Sequence, residues 1–210
     1  MYIWITNKCQ QRCAHCCNVK LLGNTHMPED IWKEAIKYSG HYGEMVALGG
    51  GEPLLHPDIE RIVFHALGNK CIESTWFATN GLETEKAILF ANFSRAYEDT
   101  GKFYCELSLD PYHIRPEEEV IKAFGKKIRN VYGREVNNGN YTAGSDMCCC
   151  PDKQIMINGD IRLCGCDESP IIGDIFNGIK PKFEKLLANL SCDACYKDIK
   201  KAKPRKAKSA

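Results

Sequence analysis

Short apolar runs alternate with longer amphipathic stretches over the first 131 residues. Tyr2–Thr6, Met45–Gly49, Ser74–Thr79 and Phe103–Leu109 are apolar runs bounded by turn residues and read as strands. After each in turn, Pro28–Tyr42, Pro57–Leu67, Glu83–Phe93 and Pro116–Val131 space their apolar residues three and four apart and read as helices. The first opens on Pro28, Glu29 and Asp30, a helix-start signal. The last is acidic at its start and basic at its end, as the helix dipole favours. This rhythm predicts an α/β fold with a parallel sheet, outer helices and right-handed crossovers. In the fourth strand, Cys105 and Glu106 fall on opposite faces.

After Gly133 the pattern changes. Asn137-Asn-Gly-Asn-Tyr is loop-like, and a fifth strand would have to lie within Arg134–Ala143. Gln154–Ile157 and Asp160–Leu163 flank Asn158-Gly159, which predicts a hairpin because both turn residues tolerate positive φ. Pro181–Leu190 reads as a short helix, and the chain from Lys197 as a solvated tail. No apolar run approaches the roughly 20 residues that span a bilayer, and the N-terminus lacks a signal-peptide pattern. A cytoplasmic location without membrane contact is expected.

Composition alters this picture at one point. The 28 basic and 27 acidic residues carry no global charge signal, but thirteen cysteines are far more than an intracellular chain of 210 residues needs. Cys9, Cys13, Cys16 and Cys17 cluster at the N-terminus, five lie from Cys148 to Cys166, and Cys192 and Cys195 form a pair. An odd count in a chain without secretory features favours metal ligation over disulfides. Cys17, Cys71 and Cys105 are expected to be small buried apolar residues rather than ligands.

Cys9-Gln-Gln-Arg-Cys13-Ala-His-Cys16 follows the first strand directly. Three thiolates leave one iron of a four-iron cluster without a protein ligand; a zinc site, with Cys17 or His15 as fourth donor, is the alternative. Gly49-Gly50-Gly51-Glu52-Pro53 follows the second strand. Glycines there permit close approach of a ligand to the backbone, and Glu52 offers an acceptor for an ammonium group.

Together, a C-x3-C-x2-C loop after strand one and a GGEP turn after strand two resemble the radical S-adenosylmethionine (SAM) superfamily. The resemblance implies a partial (β/α) barrel and a [4Fe–4S] cluster with an open iron on Cys9, Cys13 and Cys16. It further implies reductive cleavage of SAM to a 5′-deoxyadenosyl radical that abstracts hydrogen from substrate. His15 occupies the place of an aromatic residue near the adenine. Gly49, Gly50, Gly51, Glu52, Pro53, Asn80, Ser108 and Asp110 are the cofactor-binding positions it implies, all at strand ends that gather on one rim. Asp110, Tyr112 and His113 are rim candidates for catalysis. A reducing partner of the flavodoxin or ferredoxin type is implied as well.

The later cysteines resemble a shortened SPASM/Twitch-like auxiliary-cluster extension, with Gly173-Asp-Ile near its Gly-Asn-Ile signature. The resemblance implies a second [4Fe–4S] cluster on Cys149 or Cys150, Cys164, Cys192 and Cys195, with Cys148 a further choice for the first ligand and Cys166 surplus. A zinc-stapled hairpin is the alternative. The expected division is residues 1–144 as radical SAM core, 145–196 as extension and 197–210 as basic tail.

That tail carries seven basic residues and Asp198, a net +6 that leaves residues 1–196 at −5. It reads either as a solubilising end or as an arm for nucleic acid. The chain is also similar in size and layout to compact phage-encoded radical enzymes that rearrange thymidine hypermodifications, in which case the location is the host cytoplasm. The expected activity is therefore a radical rearrangement on a modified nucleobase or nucleotide, an isomerase reaction of DNA modification. Radical modification of a ribosomally made peptide is the second expectation, and a non-catalytic zinc-binding interaction protein the remote third.

Overall fold

Strand β1 (Tyr2–Thr6) enters the cysteine loop, and α1 (Glu29–Gly40), β2 (Val46–Gly50), α2 (Ile59–Gly68), β3 (Thr75–Thr79), α3 (Thr84–Ala96), β4 (Phe103–Ser108) and α4 (Glu118–Phe124) follow in the expected order. These belong to a computed structural model that describes residues 1–13, 16, 19–42, 45–129, 153–163 and 169–180. The remaining strands are β5 (Ile128–Arg129), β6 (Gln154–Ile155), β7 (Asp160–Arg162), β8 (Ile171–Asp174) and β9 (Gly178–Ile179). All lie in one open sheet of order β5-β4-β3-β2-β1-β6-β7-β8-β9. Neighbours from β5 to β6 pair in parallel, and those from β6 to β9 antiparallel. This is the expected α/β architecture, and among the described residues the sheet is open, as a partial barrel allows.

The helices cover one face. Ile3, Ile5, Val46, Leu48, Phe77, Phe103 and Leu107 project there by strand alternation and bury against Trp32, Ile36, Ile62, Val63, Phe90 and Val120. Phe77, Phe90, Phe93 and Phe103 form a ring cluster with centroids 5.1–6.4 Å apart. Each buried phenyl contributes about 1.5–3 kcal/mol. Cys105 belongs to this core, as expected, whereas Glu106 on the opposite face is only half-buried. Cys71 departs from expectation: it is exposed, in the turn after α2, where the Asn69 side chain accepts its backbone N–H.

Two elements differ from the sequence reading. The helix expected to run to Val131 stops at Phe124, because Gly125 adopts φ 55 and ψ −112, a conformation closed to L side chains. Lys127 N–H then donates to Phe124 O, and Ile128 pairs with Leu107. The fifth parallel strand therefore arrives at Ile128–Arg129, earlier than expected; residues 134–143 lie outside the described ones. The expected hairpin exists, but its loop is longer. Gly159, at φ 88, donates to Met156 O, and Met156 donates to Asp160 O. This is a three-residue loop closed by a left-handed glycine. The helix 181–190 and the tail lie outside the described residues.

Candidate functional site

The C-terminal ends of β1, β2, β3 and β4 meet on one rim. At the first, the Thr6 hydroxyl accepts from Lys8 N–H at 3.0 Å and lies 3.1 Å from Thr25 O, to which it donates. Asn7 Oδ1 accepts from Thr25 N–H at 2.7 Å, so the outgoing and returning chains of the cysteine loop are tied at its base. Inside the loop, Cys9 Sγ accepts from Gln11 N–H at 3.4 Å, and Cys16 N–H donates to Cys13 O at 2.9 Å. Cys9, Cys13 and Cys16 are half-buried.

Burial, then the neighbouring Cys9 and Cys16, pushes the Cys13 thiol up to about 11. Cys9 is raised chiefly by burial, with Glu52 and Cys16 adding to the rise and the Gln11 N–H opposing it. The thiols thus disfavour one another's ionisation. A set of three gathered, mutually repelling thiolates suits a cationic iron centre, whose charge inverts that penalty. The donor set fits a three-thiolate cluster.

At the end of β2 the glycines serve the protein's own packing. A Cβ at Gly49 would collide with the Tyr2 hydroxyl, one at Gly50 with Thr6 O, and one at Gly51 with Lys8 O. Gly50 also takes φ 109. Their absent side chains let β2 close onto the exit of β1, where Gly51 N–H donates to Thr6 O and Glu52 N–H to Lys8 O.

Glu52 does not wait with a free carboxylate. It is buried, and Oε1 accepts from the Thr79 hydroxyl at 2.7 Å and from Leu54 N–H at 3.2 Å. Oε2 accepts from Asn80 N–H at 2.8 Å. Burial outweighs these bonds and pushes the carboxyl up to about 7. Glu52 therefore clamps the β2 turn to the end of β3, and buried Pro53 starts the one-turn helix Pro53–Leu55.

Asn80 is also drawn in. Its Oδ1 accepts from Leu82 N–H at 3.0 Å, and its Nδ2 reaches Gln10 Oε1 at 3.3 Å. Ser108 ends β4 opposite Arg129 of β5. Just beyond, the fully buried Asp110 side chain lies 3.0 Å from His113 Nδ1, and Asp110 Oδ1 accepts from Tyr112 N–H at 2.9 Å. Tyr112 is exposed. Asp110 also raises the Cys13 thiol, so the β4–α4 loop stands near the cysteines.

His15, Cys17, Cys148, Cys149, Cys150, Cys164, Cys166, Cys192 and Cys195 lie outside the described residues. Among those described, no group of three or more His, Cys, Asp or Glu is arranged as a preformed metal cage. No described helix is long and apolar enough to cross a membrane.

The sequence reading missed four contributors. Gln10 and Gln11, mere spacers by motif, bridge the cysteine loop to Asn80 and to Ile114 N–H. Their adjacency inside the motif was the available signal. Trp76 and Tyr104 are cross-strand neighbours of β3 and β4 on the face away from the helices, in line with Ala78 and Glu106. Strand alternation alone identifies that face.

Comparison with known proteins agrees with this layout. The 15%-identical structure of BtrN in complex with AdoMet and 2-DOIA superposes with a TM-score of 0.67, covering 90% of this chain and 85% of that one. A structure of anSMEcpe with AdoMet and the Cp18Cys peptide gives 0.57 at 12% identity, over 93% and 79%. These likenesses concern the fold. A Thermoplasmatales archaeon (strain ISO4-H5) protein described as an S-adenosylmethionine-dependent nucleotide dehydratase is 36% identical over 67 residues, 31% of this chain and 24% of that relative. The match thus spans about a quarter of the relative's length. The profile of the radical SAM superfamily matches residues 3–132, well over half of the chain, and the protein accordingly belongs to that superfamily of enzymes, which work with a [4Fe–4S] cluster and AdoMet.

Proposed function

We propose that this enzyme performs radical chemistry on a nucleotide or a modified nucleobase, with the cluster on Cys9, Cys13 and Cys16 and with the cofactor along Gly49, Gly50, Gly51, Glu52, Pro53, Asn80, Ser108 and Asp110, His15 completing the set. When bound, these groups supply one-electron cleavage of SAM to methionine and a 5′-deoxyadenosyl radical that removes a substrate hydrogen atom. The protein's part is to bind, orient and shield. Glu52 holds the β2 turn against β3, which keeps backbone groups of that turn at a constant distance from the cysteine loop. His113 Nδ1 beside the buried Asp110 carboxylate gives the rim a group able to hold or move a proton.

The observation that carries the substrate class is the pairing of Trp76 with Tyr104 on the helix-free face. Aromatic side chains on neighbouring strands of one sheet face can offer bases a stacking surface, and base–aromatic stacking is worth about 1–3 kcal/mol per base. The local similarity to a nucleotide dehydratase supports the same class. Rearrangement of an adduct on a thymine base, in DNA or as a nucleotide, is the specific reaction we favour, with the basic tail meeting the phosphates. A reductant of the flavodoxin or ferredoxin type would serve it.

We also propose a second cluster on Cys149 or Cys150, Cys164, Cys192 and Cys195. Supporting it, the register Gln154↔Arg162 sets the chain positions that lead to Cys150 and away to Cys164 side by side.

Anaerobic reconstitution with dithionite and SAM tests the substrate reading. Nucleotides or base-modified DNA should stimulate 5′-deoxyadenosine release, and Trp76→Ala should raise KM for them about 5- to 150-fold. Stimulation by peptides alone, with Trp76→Ala unchanged, would overturn it.

A further inference from the structure

Gln11 is 4% exposed, and its side-chain carbonyl is shared between two neighbours. Oε1 lies 3.1 Å from Ile114 N, whose N–H it accepts, and 3.1 Å from Cys13 Sγ, whose thiol proton it also accepts. The amide nitrogen, Nε2, is buried and has no hydrogen-bond partner among the described residues. A buried donor without a partner carries the full desolvation penalty of that group. Such a cost is expected where the missing partner is supplied by something bound.

Cys13 is the reason the arrangement is incomplete. When Cys13 acts as a ligand it carries no proton, so its bond to Oε1 vanishes. The electron-rich sulfur then faces the amide oxygen, which it repels, so the amide turns about its bond to Ile114 N–H and brings its unsatisfied N–H groups to the sulfur. We infer that Gln11 Nε2 donates an N–H···S hydrogen bond to the cluster at Cys13, while Ile114 N–H retains Oε1. Gln11 is thereby a positioning residue. It holds the β4–α4 loop, with Asp110, Tyr112 and His113, against the iron site, and it tunes the cluster's readiness to accept an electron. Donation to a sulfur stabilises the more negative reduced cluster and raises its potential.

This inference rests on the assignment of the cluster to Cys9, Cys13 and Cys16, and the experiment separates the two. Wild type, Gln11→Leu, Gln11→Glu and Cys13→Ala are reconstituted anaerobically, and iron and sulfide content and EPR-monitored redox titrations are compared. Gln11→Leu should keep the cluster but show about a tenfold lower reduced-to-oxidised ratio at a fixed potential, a shift of about 59 mV to more negative values. Gln11→Glu keeps an acceptor for Ile114 but places an anionic oxygen by the sulfur, and should shift further in the same direction. Amide hydrogen exchange at Ile114 should quicken in Gln11→Leu and not in Gln11→Glu. Potentials equal to wild type in both Gln11 variants would overturn the inference while leaving the ligand assignment intact. A cluster retained unchanged in Cys13→Ala would instead overturn the assignment.

Discussion

The two halves of the rim are built in opposite ways. At the ends of β2 and β3, Glu52 accepts three hydrogen bonds inside the protein, and the glycines close onto β1 with no room to spare. In the cysteine loop, by contrast, half-buried thiols oppose one another's ionisation and Gln11 Nε2 has no partner among the described residues. Among the described residues, the first half is satisfied by the protein's own groups, and the second keeps a donor without a partner. The difference teaches where each kind of substitution should be felt. Changes on the β2–β3 side should register as stability, and changes in the loop as loss of chemistry.

The largest effect should come from the loop. Cys13→Ala should reduce 5′-deoxyadenosine formation to background while circular dichroism and melting change little; Cys105→Ala, a core thiol, should do the reverse. A Cys13→Ala protein that melts far below wild type would erase the contrast between the two halves.

Glu52→Gln tests the other half. Its Nε2 would face Asn80 N–H donor to donor, and the cost should be about 1–3 kcal/mol, read as a lower Tm. The carboxyl also sets a pH dependence. Burial raises it from an ordinary 4.5 to about 7. Between those values the unfolded chain releases a proton that the folded chain keeps, so wild-type stability should fall as pH rises from about 4.5 to 7 and level off above. The change is on the order of 3 kcal/mol. Denaturant melts across that window should show the slope in wild type and its loss in Glu52→Gln; parallel profiles would show that Glu52 does not titrate there.

Smaller effects sharpen the picture. Thr79→Val removes the 2.7 Å hydroxyl donor to Glu52 but keeps the shape, and should cost about 1–2 kcal/mol and push the Glu52 carboxyl further up. Tyr2→Phe removes the acceptor 2.8 Å from Gly50 N and should cost about 1 kcal/mol, visible in chemical melts but not in cofactor turnover.

How far all this could be read from the chain differs by element. The four strand–helix units were legible because apolar spacing and helix-start residues such as Pro28, Glu29 and Asp30 act within one or two turns. The Cys9, Cys13 and Cys16 spacing and the Gly49–Glu52 run marked the rim for the same local reason. The end of α4 was missed because amphipathic spacing continues past Gly125, while the backbone conformation of that one residue decides the stop. The part Glu52 plays within the fold was not legible, since its partners Thr79 and Asn80 stand 27 and 28 residues later and reach it only in the folded chain.

By itself the sequence determined which segments become strands and helices, and that three thiols would share one loop. Tertiary structure alone decided that β6 joins the free edge of β1, with Trp4 Nε1 donating to Gln154 Oε1 across 150 residues. It alone carried Gln11 to Ile114, 103 residues away, beside the thiol of Cys13. The physical reason is one of range. Periodicity and caps are satisfied by near neighbours, whereas a buried polar group finds its partner only after the core has closed and removed water as the alternative.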